Sequence, residues 1–551
     1  MKVIVYQVFT RLFGNRNETR LRNGTLEQNG AAKMNDITGT VLGRIRQLGV
    51  THVWYTGVIR HASTTDYTAH GIPVQHPAVV KGLAGSPYAI TDYYDIDPDI
   101  ATDVDRRMAE FEALVERTHD MGMKVIIDFV PNHVARQYHS VAKPEGVVDL
   151  GEHDDTNMHF STRNDFYYCW GHPFVPPVDS DQPYVEQPAK ATGNDRFDWR
   201  PGCNDWYETV KINYGIDYCD AGGRSEHFAP LPAAWGKMTD ILLFWAAKGV
   251  DGFRCDMAEM VPTAFWAWAI DKVKFRYPDK VFIAEVYDPS QYRNYIGAGF
   301  DYLYDKVGMY DCVRDVICGR RPARDITHYW QCTDDIWPHM LYFLENHDEQ
   351  RIASDFFAGD AGKGIPGLVV SALMRQNPFM LYFGQELGER GMDEEGLSGR
   401  DGRTTIFDYW SVPSVLHAYF DRRRMTRGER AMERVYSTVL NIACSHRAVA
   451  EGEFYDLMYA NPQLPAAVYA FVRKKDDEML LIAANFADRE TDCDIIVPRH
   501  AFDFLHINEG VHEAVDLLSG DKAVLQLCAD VAMAVTVPPS RARVLYIRCN
   551  G

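Results

Sequence analysis

A chain of 551 residues is longer than one hydrophobic core organises, so two or three domains are expected, one of them with room for ~250 residues plus insertions. Hydrophobic residues make up 46% and charged residues 24%, the balance of an ordinary globular protein, which excludes a disordered chain. The formal net charge of −20 would repel nucleic acid and anionic membranes alike, and it leaves a neutral ligand such as a sugar as the compatible partner.

In chain order, the N-terminal run Met1 to Phe9 is short, alternates in character and is soon followed by Arg11, Asn15 and Arg16, unlike the longer apolar region of a signal peptide. No stretch approaches the ~20 apolar residues of a membrane span. Eight apolar runs read as buried strands: Val3 to Phe9, Thr51 to Val58, Lys124 to Val130, Gly252 to Asp256, Lys280 to Val286, Phe300 to Tyr304, Met340 to Leu344 and Pro378 to Phe383. Between them, Val104 to Met121, Trp235 to Lys248 and Thr263 to Arg276 carry apolar residues at spacings of three and four, the helical period. Strand and helix alternating in this way predict an α/β fold, a closed parallel (β/α)8 TIM barrel spanning residues 1–133 and 216–451. From Val134 to Gly215 the chain is rich in Asp, His, Asn, Pro and aromatics without helical periodicity, which predicts an inserted domain over 134–215, after the third strand. From 452 to 551 alternating stretches such as Ala467 to Val472 and Leu480 to Phe486 predict a C-terminal antiparallel β-sandwich. The eleven cysteines are odd in number and lack C-x-x-C spacing, so reduced thiols and a cytoplasmic location are expected. Cys255 reads as a small core residue.

Four of the strands end in the groups that sugar chemistry requires. Asp128, Asn132 and His133 follow the third strand, Arg254 and Asp256 the fourth, Glu285 the fifth, and His347 and Asp348 the seventh. Active sites of such barrels lie past the C-terminal ends of the strands. Glycoside cleavage uses one carboxyl to protonate the leaving oxygen and a second across the sugar ring, and at ~5–5.5 Å apart the second acts as nucleophile with retention of configuration. Arg254 precedes Asp256 by two residues, so both side chains leave the strand on one face and the guanidinium can hold the carboxylate ionised.

These motifs in this order resemble those of the α-amylase family of glycoside hydrolases, family 13, over essentially the whole length. The resemblance implies Asp256 as nucleophile, Glu285 as acid/base and Asp348 as the transition-state stabiliser that grips sugar hydroxyls. It implies Arg254 as the motif arginine, His133 and His347 as contacts to the reacting sugar, and Tyr88 as the ring that stacks on it. Asn132 matches a position where many amylases bind a metal, so structural Ca2+ is possible, with Asp154, Asp155 and Asp165 as further oxygen donors; no cofactor is required for the chemistry. The implied substrate is an α-glucan or maltooligosaccharide cut at α-1,4 bonds, with 4-α-glucanotransferase or maltosyltransferase activity as the alternative and a non-catalytic carbohydrate-binding barrel as a remote one. The retained triad argues against the last. Two departures stand out. Glu259-Met260 replaces a Lys-His pair that contacts the acceptor sugar in many relatives, and Gly85 stands where exo-acting enzymes often carry an Asp, which favours an open cleft. Exposed aromatics of the insertion, such as Trp170, are expected to influence chain-length preference. Oligomeric state is not encoded in these features.

Overall fold

The computed structural model describes residues 2–391, 397 and 399–549. Its centre is a closed parallel barrel of eight strands: β1 (Ile4–Phe9), β2 (His52–Thr56), β3 (Lys124–Phe129), β4 (Gly252–Cys255), β5 (Val281–Ala284), β6 (Tyr302–Tyr304), β7 (Met340–Phe343) and β8 (Phe379–Tyr382). They are the eight apolar runs of the sequence, paired in order, with β8 closing back onto β1 through Ile4 opposite Phe379.

Period-two alternation divides each strand between two cores. Val5, Trp54, Ile126, Ile283, Leu341, Phe343 and Met380 point inward and pack on one another within the barrel. Their neighbours Tyr6, Val53, Ile127, Phe253 and Phe282 point outward into the main core under the helices. The outer ring includes helices Gly39–Gln47, Arg107–Asp120, Ala233–Ala247, Thr263–Arg276, Ile365–Leu373 and Arg427–Ser445. The last begins with a capping box, in which the Thr426 hydroxyl accepts from the Glu429 N–H and the Glu429 carboxylate accepts from the Thr426 N–H.

Between β3 and β4, the stretch 134–215 contains only short paired strands among the described residues. His133–Ala135 pairs with Thr209–Lys211, and Tyr168–Cys169 with Ala189–Lys190. Its own apolar cluster joins Cys169, Phe174, Ala189 and Tyr207 to Val79. Beside it Arg136 is buried with its guanidinium 3.6 Å from the Phe174 ring centre and 2.6 Å from Glu186, so a paired charge does part of the work of a core.

The C-terminal region forms a six-stranded antiparallel sheet in the order Glu453–Asp456, Val468–Lys475, Glu478–Asn485, Arg541–Arg548, Gly510–Asp516 and Lys522–Leu527, with a separate pair Thr491–Ile496 and Ala532–Val537. Arg473 ties this sheet to the barrel: fully enclosed, it donates to the carbonyls of Met374, Ala448, Val449 and Gly452. All eleven cysteines are free thiols. Among the described residues no helix is long and apolar enough to cross a membrane.

Candidate active site

Register builds the site. Arg254 on β4 lies opposite Asp128 on β3 and Ile283 on β5, and the parallel ladder runs one residue past the strands, with the Asp256 N–H on the Phe129 carbonyl and the Glu285 N–H on the Cys255 carbonyl. The carboxyls that follow β4 and β5 therefore emerge side by side at the C-terminal rim. Arg254 sits beneath them with no solvent exposure. Its Nη1 is 2.7 Å from Asp256 Oδ1 and 3.6 Å from Asp128 Oδ1, and its Nη2 is 2.8 Å from Glu285 Oε2. The rings of Trp54, Tyr88 and Tyr304 surround the guanidinium at 5.4–5.6 Å. Its carboxylate neighbours hold Arg254 charged against the cost of burial.

One cation thus faces several enclosed acids. Burial raises the Asp256 carboxyl well above the ordinary carboxylate range against the pull of Arg254. Burial and Glu285 raise Asp348 to about 7, although its side chain is 40% exposed at the cavity mouth. Burial raises Asp128 to about 6, and its Oδ2 accepts from the Trp54 indole at 3.1 Å. Asp256 and Asp348 feel each other's charge, so their titrations are linked.

Within the seventh-strand motif, Glu345 pairs with buried Arg351 at 2.9 Å, and the Asn346 side chain accepts the Asp348 and Glu349 N–H groups. These two hold the turn, so His347 and Asp348 face the cavity. Gln7 donates to His347 Nδ1 at 2.9 Å, which puts the imidazole proton on Nε2, 2.6 Å from the Tyr88 hydroxyl and 3.1 Å from Asp348 Oδ2. Burial and Arg254 keep His347 neutral. Tyr88 stacks on the His347 ring at 5.2 Å. His133 leans on Trp206 at 5.2 Å, and burial with Lys211 and Lys81 nearby lowers it to about 3.

A cavity of about 490 Å³ opens over this floor. Asp256, Glu285, Asp348, Tyr88, His133 and His347 all line it, with Arg254 below. Linings that the sequence reading missed include Tyr287, whose hydroxyl donates to Glu285 Oε1 at 2.7 Å, Trp206 and Glu208 from the insertion, and Arg403 from the loop after β8. Only the position of Tyr287, two residues past Glu285, offered a signal. Trp170, expected to stack on sugar, is 65% exposed and does not line this cavity, whereas Trp206 does. Gly85 has a backbone reason: its φ is +70° and a Cβ there would lie 1.6 Å from the Ala62 carbonyl oxygen, so no aspartate fits.

Asn132 is enclosed and absent from the cavity lining. The Lys211 ammonium donates to its side-chain oxygen at 2.5 Å and pairs with Asp195 at 2.5 Å. A divalent cation at that oxygen would meet a buried positive charge, so the residues present do not fit calcium there. Asp154 and Asp165 spend oxygens on backbone N–H groups and on Tyr168 and Lys237, while Asp155 accepts from Asn157.

An eight-stranded parallel barrel with three carboxyls gathered at its C-terminal rim has the architecture of a glycoside hydrolase. Residues 7–294, just over half of the chain, match the family described as alpha amylase, catalytic domain, and the chain belongs to that family. It is similar to an alpha-amylase of Haloarcula japonica, 25% identical over 71% of this chain and 45% of that protein. A second relative, alpha-amylase 3 of Dictyoglomus thermophilum, is 22% identical over 88% of this chain and 84% of its own length. The chain thus spans under half of the first relative and most of the second. A solved maltogenic alpha-amylase from Thermotoga neapolitana shares the fold with a TM-score of 0.64 at 20% identity, covering 100% of this chain and 99% of that one.

Proposed function

We propose that this glycoside hydrolase cleaves α-1,4 bonds of maltodextrin-type glucans with retention of configuration. Asp256 attacks the anomeric carbon, Glu285 first protonates the leaving oxygen and then deprotonates water, and Asp348 grips hydroxyls of the reacting sugar. One observation carries this reading: a single guanidinium lies within ion-pair distance of an oxygen of both Asp256 and Glu285, which brings the two carboxyls to one side of the same cation. Such an arrangement accommodates a retaining pair at ~5–5.5 Å.

Tyr88 and Trp206 offer ring faces to the apolar faces of sugar units, and neutral His133 and His347 supply hydrogen bonds without charge. The names of the alpha-amylase relatives agree with an α-glucan substrate. Proton NMR of the first products of maltopentaose is the test. The α-anomer is expected first, in chains shorter than the substrate. Initial β-anomer would overturn the retaining pair, and products longer than the substrate would replace hydrolysis with glycosyl transfer.

A further inference from the structure

The proton of Glu285 has one place to go. Its Oε2 receives the Met257 N–H at 2.8 Å, a donor that cannot reverse, and lies 2.8 Å from the Arg254 guanidinium, whose fixed positive charge disfavours a proton on that oxygen. The Met257 N–H reaches it because Met257 takes the left-handed conformation at φ +44°, uncommon for a residue with a side chain and typical of functional turns. Acid catalysis therefore leaves Oε1 to carry the proton, and the hydrogen-bond partner there is the Tyr287 hydroxyl at 2.7 Å. Burial and Glu285 raise the Tyr287 phenol well above its ordinary range, so it stays a donor wherever the enzyme is assayed.

The backbone of Tyr287 is anchored in turn. Glu259 Oε2 accepts the N–H groups of Tyr287 at 2.8 Å and Asp288 at 3.0 Å. Glu259 is the residue that departs from the Lys-His pair of many relatives, and here it clamps the loop that delivers the phenol.

We propose that Tyr287 is a positioning residue for Glu285: its hydroxyl, held by the Glu259 clamp, donates to Oε1 of the ionised carboxylate and rotates away when that oxygen carries the proton. The inference rests on Glu285 being the acid/base. Other charged or titratable groups facing Glu285 are Arg254 and Asp256 from β4, Asp128 from β3, Tyr304 from β6 and Asp348 from the β7 loop, and a change at Tyr287 leaves all of them in place.

Tyr287→Phe removes a donor to a charged acceptor, so the alkaline limb of kcat/KM on maltopentaose should move up by about one pH unit. The loss of rate should be smaller on an aryl maltoside with a good leaving group, which needs little protonation. Glu259→Ala, which leaves the phenol intact and frees its backbone, should move the limb the same way by a smaller amount, and Glu259→Gln, which keeps an acceptor oxygen, should restore it. An unmoved alkaline limb in folded Tyr287→Phe would overturn the inference, as would a purely KM effect, the mark of a ring that only stacks on sugar. Glu285→Gln separates the two levels. If it cleaves maltopentaose at near wild-type rate, the acid assignment fails and this inference with it; if it is inactive there while the Tyr287→Phe limb stays put, only the role of Tyr287 fails.

Discussion

At the scale of single residues, the site concentrates acids around one cation, and that has opposite consequences for activity and stability. Asp256→Asn keeps shape and volume but removes the attacking oxygen, so hydrolysis of maltodextrin should fall by roughly 10⁴-fold or more while circular dichroism stays native. Wild-type-like turnover in a pure sample would remove Asp256 from the mechanism. Asp348 has a folded pKa of about 7, above its ordinary value, so the native state binds protons that the unfolded chain releases between pH ~4 and 7. Its contribution to stability is therefore present below that window and lost as pH rises through it. Asp348→Asn should match wild type in Tm below pH ~4 and exceed it at pH 8, by about 1–3 °C for a partly solvated group. A Tm difference independent of pH would contradict the raised pKa.

At the scale of elements, the pairing of His133–Ala135 with Thr209–Lys211 joins the insertion to the rim of β3, and Lys211 fastens that joint. Its ammonium bridges Asn132 and Asp195 and lies 3.4 Å from the Met260 carbonyl in the loop after β4. A built-in cation cannot be chelated. EDTA should leave both Tm and activity unchanged, whereas Lys211→Met, which strands two polar partners, should cost about 3 kcal/mol of stability. Calcium-dependent recovery of a chelated sample would show that a metal, rather than the lysine, holds these segments.

At the scale of the whole molecule, the proposed function draws its chemistry and its selectivity from different parts of the chain. Asp256, Glu285 and Asp348 follow barrel strands, while Trp206 and Glu208 reach the same cavity from the insertion. Trp206→Ala should change the size of products from maltooligosaccharides through lost stacking of roughly 0.5–1.5 kcal/mol, about tenfold at most. Turnover of a short activated substrate should stay within that factor. A collapse on the short substrate in folded protein would place part of the catalytic machinery in the insertion. Trp170→Ala, which is not part of the cavity lining, serves as the silent comparison.

The sequence by itself determined the barrel and placed the candidate acids at its rim, because strand periodicity is local and each carboxyl stands within a residue or a few of an apolar run that ends there. Asp256 after Gly-Phe-Arg-Cys and Glu285 after Ile-Ala need no knowledge of distant segments. Only the tertiary structure decided what surrounds them. Trp206 rather than Trp170 reaches the cavity because the path of an irregular insertion is set by long-range packing, which leaves no periodic trace. Lys211 meets Asn132 across a separation of 79 residues, and a lysine read alone is a surface residue until the fold buries it between two acceptors. Glu259 and Tyr287 stand on consecutive strand-to-helix loops, and their joint hold on Glu285 exists only because β4 and β5 are neighbours in the closed sheet.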